Sequence, residues 1–136
     1  YSYSYTYGLI ASESNSHLLW VEVFARTYYW KLPKIEGYIM AVMVSVEMKF
    51  KPESADKMLE TMKTALVDTR GFEGCQELKS YYEVDTHSLL FIEIWDSAAA
   101  QQAYLGWRVE SGFIDSVSGD MAAPPVVRTF EIRDDI

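Results

Sequence analysis

The most constraining feature of this sequence is a change of period just past Phe50. Val42, Val44, Val46, Met48 and Phe50 alternate with Met43, Ser45, Glu47 and Lys49, a repeat of two that gives a strand one apolar face. Pro52 then stands where a helix opens. Ala55, Met58, Leu59, Met62, Ala65 and Leu66 recur at i, i+3, i+4 spacing until Gly71 offers a stop, with Asp56, Lys57, Glu60, Lys63 and Thr64 outward. A single strand cannot cover that helix, so further strands are required.

The rest of the chain supplies them. Cys75–Glu83 and Leu89–Trp95 read as extended segments joined by Val84-Asp85-Thr86-His87-Ser88, a polar connection suited to an antiparallel hairpin. Asp96 or Ser97 caps a second helix to about Val109, with Ala100, Ala103, Tyr104 and Trp107 on one face. A looser helical piece spans Phe113–Val117, and Gly119 and Pro124-Pro125 precede a last strand, Val126–Arg133, with Val126, Arg128, Phe130 and Ile132 on one face. Strand, helix, strand, strand, helix, strand predicts an α+β ferredoxin-like βαββαβ domain, a four-stranded antiparallel sheet with two helices on one face. The other face stays bare. Alternation places Met43, Phe91, Trp95 and Tyr81 on the parity opposite to Val44, Ile92 and Ile94, an exposed patch expected to pair with a second copy.

At 136 residues the chain holds one such domain and an appendage. Residues 39–136 carry the domain. Residues 1–38 read as an aromatic-rich leader with one possible strand at Leu18–Phe24, either a peripheral strand or not native to the domain. Twelve basic against 20 acidic residues give a net charge of -8, so the basic surface that nucleic acid or an anionic membrane requires is missing. The longest apolar stretch, Ile39–Val46, is too short to span a bilayer. A single cysteine, Cys75, excludes an intrachain disulfide and points to a reducing, cytoplasmic setting.

Three segments resemble the antibiotic biosynthesis monooxygenase (ABM) domain family: Gly71-Phe72-Glu73-Gly74-Cys75 entering a strand, Phe91-Ile92-Glu93-Ile94-Trp95-Asp96 leading into an Ala-rich helix, and Pro124-Pro125-Val126-Val127-Arg128-Thr129-Phe130-Glu131-Ile132. The resemblance covers nearly all of residues 41–133. It implies a dimeric α+β barrel and several activities: some members oxidise polycyclic aromatics with oxygen and neither metal nor flavin, some handle quinones, and others degrade haem. Family members often carry a histidine nine positions after the signature tryptophan, where this sequence has Tyr104. The haem degraders need that histidine and an asparagine on the first strand. Strand one here has no asparagine, and the histidines are His17 and His87.

The candidate site follows. Trp95, Tyr104, Trp107 and Phe113 line an apolar cavity between the second helix and the sheet, with the Tyr104 hydroxyl orienting a ligand, or else form ordinary aromatic core. Arg108 is a candidate partner for a substrate oxyanion, against the plainer reading of a surface pair with Glu110. Glu93, mid-strand between isoleucines, is a candidate base or an interface salt bridge to Arg128 or Lys79. Cys75 reads as a small buried residue, His87 as a solvated turn residue, and no metal or cofactor is implied. The expected function is a cofactor-independent monooxygenase acting on an aromatic or quinone-like small molecule. The alternative is a non-catalytic dimeric binding or stress-response module, with haem degradation behind both.

Overall fold

The repeat of two becomes strand β1 (Val42–Lys49), and the helical repeat becomes α1 (Ala55–Gly71), entered through a 3-10 turn at Pro52–Ser54. These elements belong to a computed structural model that describes residues 40–136, so the leader and its expected strand at Leu18–Phe24 lie outside the described residues. β2 (Cys75–Glu83), β3 (Ser88–Trp95), α2 (Ala98–Glu110), a short α3 (Phe113–Val117) and β4 (Val126–Glu131) follow. β4 stops before Arg133, whose guanidinium instead grips Asp135 through Nε at 2.7 Å and Nη2 at 2.6 Å. The strands are antiparallel in the order β2-β3-β1-β4, the ferredoxin-like α+β arrangement.

Local chemistry fixes the joints. Ser97, not Asp96, caps α2: its backbone is extended (φ -159°) and its Oγ accepts the Ala100 N–H at 3.1 Å, a cap worth about 1 kcal/mol. Gly74 has φ +93°, and its carbonyl accepts the Asp96 N–H at 2.8 Å. A Cβ there would stand 2.6 Å from the Ala100 Cβ, so only glycine lets the start of β2 pass this close beneath α2. Asp120 accepts from Ser54 Oγ at 2.8 Å and Lys57 Nζ at 2.9 Å, tying the segment before β4 to the start of α1.

Hydrogen-bond register, rather than alternation along β3, decides which side chains face the helices. Val42 pairs with Trp95, Val44 with Glu93 and Val46 with Phe91, while Met43 pairs with Ile94. Phe91, Glu93 and Trp95 are therefore buried under the helices, and Ile92 and Ile94 join Met43 and Tyr81 on the outer face. This corrects the expectation that Phe91 and Trp95 lie on the uncovered side. Leu89 through Trp95 is apolar at every position except 93, so β3 carries no phase of its own and takes its phase from β1.

The helices close the core in two lobes. Met48, Phe50, Met58, Met62, Leu66 and Phe91 belong to one, and Val42, Val44, Trp95, Tyr104 and Leu105 form the other, with Val46 and Cys75 touching both. Truncating Met58, fully buried in the first, costs about 2–5 kcal/mol. α2 buries Gln101, Tyr104, Leu105 and Arg108. That face is turned from the expected one, leaving Ala103 exposed and Trp107 37% exposed. Hydrophobic patterning assigns Gln101 and Arg108 to water, whereas the fold uses both inside. Among the described residues no helix is long and apolar enough to cross a membrane.

Candidate functional site

Where the two lobes meet, the sheet and the three helices line a partly open cavity of about 70 Å³, against the roughly 10–15 Å³ that one water needs. Met48, Met62, Leu66, Phe91 and Ile114 give it an apolar wall, and Glu93, Gln101, Tyr104 and Arg108 reach it with polar groups. Phe113, Ile114, Pro125 and Val127 also line it and are half-buried.

Glu93 sits on the floor because β3 is central and its inner face is covered. It is 3% exposed, and its Oε2 accepts the Trp95 indole N–H at 2.7 Å. Its other oxygen has no hydrogen-bond partner among the described residues. Burial pushes its pKa up to about 7 from the usual 4.5, the indole hydrogen bond opposing only part of the shift. Neither expected salt bridge forms. Lys79 pairs with Glu77 at 2.8 Å, and Arg128 pairs in register with Ser45 on the opposite face of the sheet.

At the other end, α2 lays Arg108 across α1. The guanidinium is 5% exposed and makes no ion pair among the described residues, with Glu110 or any other carboxylate. A buried cation so placed needs acceptors. Nε donates to the Tyr104 hydroxyl at 2.8 Å, and Nη2 donates to the Ala65 carbonyl and, at 3.2 Å, to Thr69 Oγ1. Its Cζ stands 4.7 Å from the Trp107 ring centre and 4.6 Å from that of Phe113, a cation–π sandwich.

Thr69 completes the network. It is fully buried, 2.6 Å from the Tyr104 oxygen, and gives its own proton to the Ala65 carbonyl at 3.4 Å. Arginine only donates, so each donor finds an acceptor when Tyr104 gives its proton to Thr69. Burial raises the Tyr104 pKa, against the lowering effect of its bonds to Thr69 and Arg108.

Of the residues singled out in the sequence, the structure brings Glu93, Tyr104, Arg108 and Phe113 to one cavity. Trp95 and Trp107 do not line it. Trp95 is fully buried behind Tyr104, ring centres 5.2 Å apart, and Trp107 packs on Phe72 at 5.6 Å nearer the surface. Thr69, Gln101 and Phe72 were missed. The i+3 and i+4 spacing of Thr69 from Leu66 and Ala65 was the available signal. Burial, then Glu93, push up the Cys75 thiol pKa, which suits a packed residue rather than a nucleophile.

No cluster of His, Cys, Asp and Glu able to hold a metal ion occurs among the described residues. Nor do these residues fit haem. Tyr104 stands at the histidine position with its hydroxyl engaged on both sides, and His87 lies in the β2–β3 turn, its Nδ1 3.2 Å from Tyr82 Oη.

Fold and cavity together define the class: a ferredoxin-like domain with a carboxyl, a phenol and a guanidinium buried at one apolar pocket. The family model for antibiotic biosynthesis monooxygenases matches residues 41–108, half of the chain, and the chain belongs to that family. A conserved protein from Methanosarcina mazei is similar in structure (TM-score 0.62, 17% identity, 70% of this chain and 95% of that one). So is a Mycobacterium tuberculosis protein (TM-score 0.57, 20% identity, 70% and 97%). A solved antibiotic biosynthesis monooxygenase gives TM-score 0.61 at 17% identity over 68% of this chain and 98% of that one. These likenesses establish the fold. No curated protein is significantly similar in sequence.

Proposed function

We propose that this protein is a cofactor-independent monooxygenase of an ionisable aromatic or quinone-like small molecule. The observation that carries the reading is the junction of Glu93, Tyr104 and Arg108 at one largely apolar cavity. Glu93, poised near neutrality, takes the acidic proton of the substrate, and Arg108 holds the resulting electron-rich anion with Tyr104 beside it. The anion passes an electron to oxygen, the radical pair combines at carbon, and the peroxide regains the proton from Glu93. Loss of water leaves a carbonyl, one oxygen atom ending in product and one in water. A bound substrate requires half-buried lining side chains such as Phe113 and Ile114 to move, because the cavity is smaller than the roughly 300–1,000 Å³ of a typical ligand pocket.

The outer face of the sheet, with Met43, Leu90, Ile92, Ile94 and Phe130 on one side, is the surface on which two copies would join.

Oxygen uptake with a panel of one-ring hydroquinones, and anthrones as larger comparison compounds, without added metal or flavin, tests the reading. One oxygen consumed per substrate, and loss of uptake in Glu93→Gln, is the expected result. Saturable binding without turnover across the panel would replace it with the sequestering module.

A further inference from the structure

We propose that the cavity selects a compact apolar monoanion of no more than one ring, seated with its charged group between Arg108 and a protonated Glu93. This deepens the reading of the pocket as a ligand site and rests on it.

The charge distribution is incomplete without such a ligand. Arg108 carries a buried positive charge with no carboxylate paired to it among the described residues. Its Nε and Nη2 are committed to Tyr104, Ala65 and Thr69, whereas Nη1 donates to no protein group among the described residues. Across the cavity, the second oxygen of Glu93 is equally unmatched. A donor and an acceptor, both nine-tenths or more buried, therefore face one apolar space.

Proton balance follows from what surrounds Glu93. β2 brings Cys75 and α2 brings Tyr104, each of which senses its charge, and β1 brings only Val44 and Val46. Arg108 is the one other charged side chain lining the cavity, and an anion bound there with Glu93 ionised would put two negative charges against one positive. Protonating Glu93 removes that excess and lets the carboxyl donate to the ligand. Burial has already raised its pKa to about 7, so the protonated form is within reach at neutral pH. Size sets the other limit. A cavity of about 70 Å³ admits one ring once the half-buried Phe113 side chain moves, whereas a polycyclic body would collide with the buried Met48 and Phe91.

Calorimetric titration of the full chain with benzoate, benzamide and anthracene-9-carboxylate at pH 6 and pH 8.5 tests this. We expect saturable benzoate binding that weakens about 30-fold from pH 6 to pH 8.5, as a group titrating near 7 requires. Benzamide should bind at least 10-fold more weakly, and the anthracene acid should not bind. In Glu93→Gln, benzoate binding at pH 8.5 should strengthen toward the pH 6 value and lose its pH dependence. Failure of benzoate to bind, equal binding of benzamide, preference for the anthracene acid, or a flat pH profile in the wild-type chain would each overturn the inference. PH-linked benzoate binding without any oxygen uptake leaves it standing while the monooxygenase reading falls. Anthrone turnover without benzoate binding does the reverse.

Discussion

Replacing Glu93 by glutamine should make the protein more stable, by an amount that depends on pH. The carboxyl titrates near 4.5 in the unfolded chain and near 7 in the folded one, because burial outweighs the single hydrogen bond from Trp95. Between these values the folded state holds the proton more tightly, so raising the pH through this window removes stability, and the loss is complete above about 7. A shift of this size corresponds to about 3 kcal/mol. Glutamine keeps the shape of the protonated acid and has no ionisation penalty. Urea unfolding of both proteins from pH 4 to pH 8.5 should show a difference near zero at the acid end that grows to about 3 kcal/mol at the alkaline end. Contributions from Asp120 and other carboxylates cancel in the comparison. Parallel curves, or a variant less stable at pH 8.5, would refute the placement of an ionisable Glu93 in a water-poor pocket.

Three further outcomes are expected. Thr69→Val removes the acceptor for the Tyr104 proton and one for Arg108 at a fully buried site, and should cost about 2–3 kcal/mol in urea unfolding. Thr69→Ser should recover more than half of that. Gly74→Ala combines φ +93° with a 2.6 Å approach to the Ala100 Cβ, and should cost roughly 1–3 kcal/mol. Adding Ala100→Gly should relieve the clash but not the backbone strain, so thermal melting should show partial recovery. Ile92→Asp puts a charge on the outer face without touching the core. It should halve the mass measured by light scattering, and a wild-type chain already at one protomer's mass would dispose of sheet-to-sheet pairing.

Much of the fold was legible because β1 and α1 carry clean and different periods, and Val44 and Met58 are buried where those periods put them. The phase of β3 was not, since a strand apolar on both sides can face either way until hydrogen bonds to β1 fix it. The face of α2 was misread for the opposite reason. Its buried side contains Gln101 and Arg108, polar residues that patterning assigns to water, and Arg108 belongs inside because α1 offers the Ala65 carbonyl and Thr69 hydroxyl to receive a cation. Glu93, Tyr104 and Arg108 could be named as chemistry-bearing residues, but their convergence depends on β3 and α2 being turned as they are. Trp107 was drawn into the cavity by the same mistaken helix face, whereas it shields Arg108 from water, and Trp95, at the end of β3, backs Tyr104 instead of lining the pocket.

The grip of Arg108 on the main-chain carbonyl of Ala65 bears on how such a domain can diversify. A strut fastened to backbone survives a change of side chain at its anchor. Position 65 also borders the pocket, so its bulk can be traded for width there while the two helices stay braced at the same separation. One scaffold can thereby be refitted for ligands of different girth with few substitutions, and its mechanical frame need not be rebuilt each time.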